Sequence, residues 1–156
     1  MEIQGNCDHK FTEVKELFES LHSSGREVGS SFAVYKNGKP IIDIWGGYTD
    51  KQKTNLWNQD SLATVWSTTK GVAAITCALA VEKGLLDYEK KVSHYWPEFG
   101  CNGKEDITVG MLLSHQAGIC GSETNEVKDY YSQETMAEEL AAMKPIWEPG
   151  TASGYH

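Results

Sequence analysis

The sequence predicts an α+β protein: an N-terminal helix, one β-hairpin, and then a mostly helical region. Three observations carry that expectation. Asn37-Gly38 stands between two runs rich in β-branched and aromatic residues, the strongest short-range hairpin signal. Phe11, Val14, Leu17, Phe18 and Leu21 recur at helical spacing. Beyond Ser61 the remaining periodic stretches read as helix, separated by glycine and proline.

Taken in order, the first helix is expected from about His9 to His22, closed by Gly25 and Gly29. Ser31–Tyr35 and Pro40–Gly47 are the two strands. The polar segment from Thr49 to Ser61 reads as loop, with Trp57 as a cap over something apolar. A helix starting at Ser67 runs to about Lys83 and stops at Gly84. Val92–Phe99 is an irregular aromatic stretch ended by Pro97 and Gly100. Thr108 is the expected N-cap of a short helix through Leu113, and Gln133 to Met143 form the last helix. A lone two-stranded hairpin is only marginally stable in water. It either packs on the helices or finds its sheet partners outside this chain.

Composition narrows the partners. The chain has 156 residues, 40% hydrophobic and 23% charged, enough for a soluble core. A net charge of -8 argues against nucleic acid, whose phosphates need a basic face. No apolar run is long enough for a bilayer, and Met1–Asp8 lacks the basic and apolar regions of a signal peptide. The expectation is a cytoplasmic protein with no membrane association. Cys7, Cys77, Cys101 and Cys120 include no Cys-x-x-Cys pair, and Cys7, His9 and Cys101 match no metal-binding spacing. No metal or organic cofactor is implied, and Cys77, inside an apolar helix, is expected to be a buried free thiol.

The chemistry-bearing stretch is Trp66-Ser67-Thr68-Thr69-Lys70. Positions i and i+3 share a helix face, so the Ser67 hydroxyl and the Lys70 amine can meet. A serine hydroxyl is a weak nucleophile until a neighbouring base takes its proton. The first helical turn adds a positive potential that favours a developing oxyanion. Taken alone, Ser-x-x-Lys is a weak signal, and an ordinary surface pair that shares a helix face by accident is the more frequent case. Ser114-His115 forms no plausible triad, because adjacent residues in a tight turn rarely face each other and no Gly-x-Ser-x-Gly elbow exists. His9, His22 and His94 read as loop or surface histidines, the tryptophans as core or pocket wall, and Glu138-Glu139 as a solvated helix face.

Several segments together resemble the serine β-lactamase-like superfamily, which includes class C β-lactamases, penicillin-binding proteins and family VIII-type carboxylesterases. They are Phe32-Ala33-Val34-Tyr35 with Gly46-Gly47, Ser67-Thr68-Thr69-Lys70, Gly84-Leu85-Leu86-Asp87, Tyr95–Phe99, Ile107–Ile119 with its Leu-Leu-Ser-His-x-x-Gly core, and Trp147-Glu148-Pro149-Gly150-Thr151. The resemblance spans nearly the whole chain from Phe11. It implies a β-lactamase/transpeptidase-like fold, with residues 1–156 as the N-terminal portion of one such domain. It also implies that Ser67 is the nucleophile and that Lys70 and Tyr155 share general-base work. Ser114 and His115 become structural, bonding the end of a short helix, and Trp66 becomes an apolar acyl-binding surface.

Departures from the pattern qualify this. The lactamase form is Tyr-x-Asn, whereas Gly154-Tyr155-His156 is closer to the esterase-like branch. The third motif (Lys-Thr-Gly, His-x-Gly or Trp-x-Gly on a late strand) and the strands around it have no counterpart. The expectation is therefore a serine hydrolase of small-molecule esters or amides through an acyl-enzyme, impaired as a truncated chain. A non-catalytic binding or self-assembling protein, and a D-amino-acid peptidase or transpeptidase, stay open as alternatives.

Overall fold

The computed structural model describes residues 2–122 and 126–156, which divide into two compact units, Met1–Thr64 and Val65–His156. In the first unit β1 (Gln4–Cys7) precedes a 3₁₀ turn at His9–Phe11 and α1 (Thr12–Ser23), followed by β2 (Gly29–Lys36) and β3 (Lys39–Gly47). The three strands form an antiparallel sheet in the order β1-β3-β2. The hairpin lies where its turn chemistry put it. Asn37 and Gly38 have φ of 52° and 73°, the doubly left-handed turn that matches strand twist. The sheet differs from the expected lone hairpin by β1, which pairs Gln4–Cys7 with Ile42–Trp45.

The core of this unit is Ile3, Ile42 and Ile44, with Val14, Phe18, Val34 and Ile41 packed on it. Alternation along β3 puts Ile42 and Ile44 on the buried face. His22 was expected at the surface and is instead buried. It sits in the last turn of α1, where Nδ1 donates to Phe18 O at 2.8 Å and Nε2 accepts from the Ser30 hydroxyl at 3.2 Å. Both ring nitrogens are satisfied, which is what allows a histidine to be buried.

In the second unit α2 (Thr68–Glu82) is followed by α3 (Val92–Tyr95), a 3₁₀ turn at Pro97–Phe99, α4 (Val109–Leu113), a 3₁₀ turn at Val127–Tyr131 and α5 (Gln133–Ala142). Gly84, at φ 69°, ends α2: its N–H donates to Val81 O and that of Leu85 to Ala80 O. Cys77, expected to be buried, is half-buried, since α2 has no fully buried residue. Thr108 caps α4 as expected, accepting from the Met111 N–H at 3.2 Å. Val92, Phe99, Ile107, Val109, Ala117 and Ile119 form the core, with Leu86, Trp96, Met111 and Leu140 against it. Lys104 is fully buried inside this layer. Its ammonium donates to Cys101 O at 3.0 Å and to Met143 O, and lies over the Phe99 ring. Carbonyl dipoles and a π face replace water around that charge.

Candidate active site

Ser67 stands immediately before α2, and the chain enters it through an uncommon backbone conformation. Trp66 has φ of 48°, a left-handed well that a bulky side chain rarely occupies. Strain of this kind concentrates at functional sites. The turn that follows closes with i to i+3 bonds: Thr68 N–H to Val65 O, Thr69 N–H to Trp66 O, and Lys70 N–H to Ser67 O, each 3.0–3.1 Å. In such a turn, side chains three apart eclipse one another. The Lys70 ammonium accordingly donates to Ser67 Oγ at 3.2 Å. Trp66, Ser67, Thr69, Lys70 and Ala73 line an open depression of about 460 Å³. Trp66 is 82% exposed, a wall of this depression and not part of the core.

Tyr155 is brought to the same place by a second construction. The segment after α4 and the segment before Tyr155 are laced together. Ile146 N–H donates to Gly118 O and Gly150 N–H to Gln116 O, while Gly154 N–H donates to His115 O at 2.9 Å. The Ser153 hydroxyl donates to Ser114 O at 2.9 Å, and the Cys120 thiol to Gly154 O at 3.5 Å. Two glycines make the approach possible. A Cβ on Gly118 would lie 2.9 Å from both Pro145 Cβ and Trp147 O, and one on Gly154 would lie 2.8 Å from Cys120 Sγ. The result places the Lys70 ammonium 5.1 Å from the Tyr155 ring centre. Lys70 thus touches Ser67 on one side and faces Tyr155 on the other. All three sequence-derived site residues lie in one cluster.

One further residue belongs to that cluster. Ser114 behaves as expected, its hydroxyl donating to Gly110 O at 2.7 Å at the end of α4. His115 bonds there only through its backbone N–H, to Leu112 O at 3.2 Å. Its ring lies 5.0 Å from Tyr155 and 4.9 Å from His156. Burial, together with the charges of His156 and Lys70, holds the imidazole below the usual histidine range. Nothing in the Leu-Leu-Ser-His block alone signals that contact, because its partner lies far along the chain.

A family model described as Beta-lactamase matches residues 14–156. The chain belongs to the beta-lactamase family. Among relatives of this beta-lactamase-family chain, Esterase/beta-lactamase LipL of Mycobacterium tuberculosis (strain ATCC 25618 / H37Rv) is 38% identical over 143 residues, covering 92% of this chain and 33% of the relative. The crystal structure of a family VIII carboxylesterase superposes with a TM-score of 0.86 at 46% identity, over 99% of this chain and 42% of that one. A penicillin-binding protein homologue from Caulobacter crescentus gives 0.88 at 38% identity, over 100% and 42%. The β-lactamase/transpeptidase-like fold expected from the sequence is therefore the observed one. The chain spans about a third to two fifths of the length of these relatives. Among the described residues no helix is long and apolar enough to cross a membrane, and no group of three or more His, Cys, Asp or Glu is placed to hold a metal ion.

Proposed function

We propose that this beta-lactamase-family chain carries the nucleophilic centre of an ester hydrolase, with Ser67 forming the acyl-enzyme. The observation that carries the reading is the Lys70 ammonium placed 3.2 Å from Ser67 Oγ and 5.1 Å from the Tyr155 ring. In acylation Ser67 Oγ attacks the carbonyl carbon of the ester. Its proton passes to the Tyr155 oxygen, which reacts as the phenolate beside the Lys70 ammonium and, as phenol, returns the proton to the departing alcohol as the C–O bond breaks. Water then attacks the acyl-serine, giving up its proton to the same oxygen, and the acid leaves as Ser67 is restored. The start of α2 favours the oxyanion of each tetrahedral intermediate. Trp66 offers an apolar wall for the acyl chain.

Ester substrates are favoured over lactams by two supports. The relatives include a family VIII carboxylesterase at 46% identity, and Gly154-Tyr155-His156 follows the esterase-like branch. The penicillin-binding protein homologue favours a penicillin-like amide as a second substrate class, the reading under which a peptidase falls.

A fluorophosphonate probe tests the nucleophile directly. The expected result is one adduct on Ser67, found by peptide mass spectrometry, and none in Ser67→Ala. An unmodified Ser67, or labelling that persists in Ser67→Ala, would overturn the assignment and leave the non-catalytic binding reading. Modification of Ser67 by a penicillin probe but not by the phosphonate would select the amide reading over the ester one.

A further inference from the structure

Tyr155 is 68% exposed, and an exposed phenol ordinarily samples several rotamers. Proton transfer at Ser67 needs that ring held to within a fraction of an ångström, since misplacement by about 1 Å costs about a hundredfold in rate. Lys70 alone gives a single non-directional contact. Among the described residues, the aromatic ring packed against that of Tyr155 belongs to His115.

His115 is unusually well fixed. Its φ of 59° places it in the left-handed well, where histidine is among the better-tolerated residues. Its N–H donates to Leu112 O, and its C=O accepts the N–H of Gly154, the residue before Tyr155. Next to it, Ser114 O accepts the Ser153 hydroxyl. These bonds tie the backbone of His115 to the backbone that carries Tyr155. The imidazole then meets the phenol ring at 5.0 Å and 58°, a tilted aromatic pair of favourable spacing.

We propose that His115 is a positioning residue of the site: its ring and backbone carbonyl hold the Tyr155 phenol beside Lys70. The catalytic part of this statement rests on the assignment of Ser67, Lys70 and Tyr155 as the reacting set, while the positioning part stands on geometry alone. The titratable groups that face His115 are Lys70 from α2, and Tyr155 and His156 from the C-terminal segment. With two potential cations already present, a neutral imidazole is the form suited to this place. The lowered His115 pKa keeps it neutral near pH 7.

The test uses two variants of the full chain and two independent readouts. His115→Asn keeps a residue that tolerates the left-handed backbone but removes the ring, whereas His115→Phe keeps a ring without the titrating nitrogens. By NMR, cross-relaxation between the Tyr155 ring protons and the Lys70 side chain is expected in the wild type, is lost in His115→Asn and returns in His115→Phe. Fluorophosphonate inactivation of Ser67 should slow by about tenfold to a hundredfold in His115→Asn, with the probe's binding constant unchanged, and largely recover in His115→Phe. In the wild type, needing no variant to fold, the Tyr155 ring resonances should shift with the same midpoint as His115, below 6.5. Wild-type cross-relaxation and labelling rate in His115→Asn, or a Tyr155 spectrum indifferent to the His115 titration, would overturn the proposal. If the wild type is not labelled at all, the nucleophile assignment fails, and the NMR readouts still decide whether His115 positions Tyr155.

Discussion

Trp66 and Gly154 each hold the chain where most residues would not go, and each lies directly before a residue of the proposed site. At Trp66 the unusual φ puts a large indole beside the Ser67 depression, so substitution there should change what binds more than whether the chain folds. With a series of alkyl phosphonates, Trp66→Ala should lose about tenfold in inactivation rate for long chains and little for methyl, because each CH₂ kept out of water contributes about 0.8 kcal/mol. Equal loss at every chain length would overturn the proposed role of Trp66 as a wall for the acyl chain. Gly154 acts by absence. A Cβ there would press on the Trp147 ring and on Cys120 Sγ. Gly154→Ala should therefore destabilise by about 1–3 kcal/mol in urea unfolding, the usual cost of overpacking. Because Tyr155 is the next residue, its contact with Lys70 should be lost in the same variant. An unchanged urea midpoint would mean that the strap around Gly154 yields more easily than its packing indicates.

Local elements depend on single side chains that can be removed without touching the site. Thr108 caps α4 through the Met111 N–H, and Met111 Sδ accepts the Thr108 N–H in return, a capping box with sulfur where a carboxylate is customary. Thr108→Ala should cost about 1 kcal/mol by urea unfolding, and Thr108→Ser should restore most of it. In the loop after β3, Asp50 accepts from the N–H groups of Thr54 and Asn55 at 3.1 and 2.9 Å, which hold its carboxyl below the usual range. The Thr108 cap and the Asn37-Gly38 turn were legible in the sequence because each is set by a few adjacent residues, whereas the Asp50 turn was read only as polar loop. β1 was not. Gln4-Gly5-Asn6-Cys7 is short and polar with no alternation, and it becomes a strand only because β3 presents a free edge to it. His22 shows the same limit. Its place at the end of the first helix was expected, but its partner is Ser30, which β2 brings to its Nε2.

At the scale of the whole molecule, the site divides in the same way between local and distant causes. Ser67 and Lys70 meet within one turn, so their spacing paired them and the blocks around them told the pair from an accidental one, whereas Tyr155 was reached only through the resemblance of those blocks. His115 joins them because two segments far apart in the chain are laced together by five hydrogen bonds. That convergence has a cost in acid. A histidine whose folded pKa lies below its unfolded value binds its proton more readily when unfolded, so stability rises with pH. His115's contribution is fully present above about pH 6.5, the unfolded value, and is lost as pH falls through the lowered folded one. Asp50, also lowered, follows the same sign in a separate window: its contribution holds above 3.8 and disappears as pH drops through its folded value. Thermal unfolding between pH 7.5 and pH 3 should therefore show Tm declining in two steps. His115→Phe should remove the first step and leave the second, and Asp50→Asn should do the reverse. A single decline that neither substitution alters would place the acid sensitivity of the fold elsewhere than in these two groups.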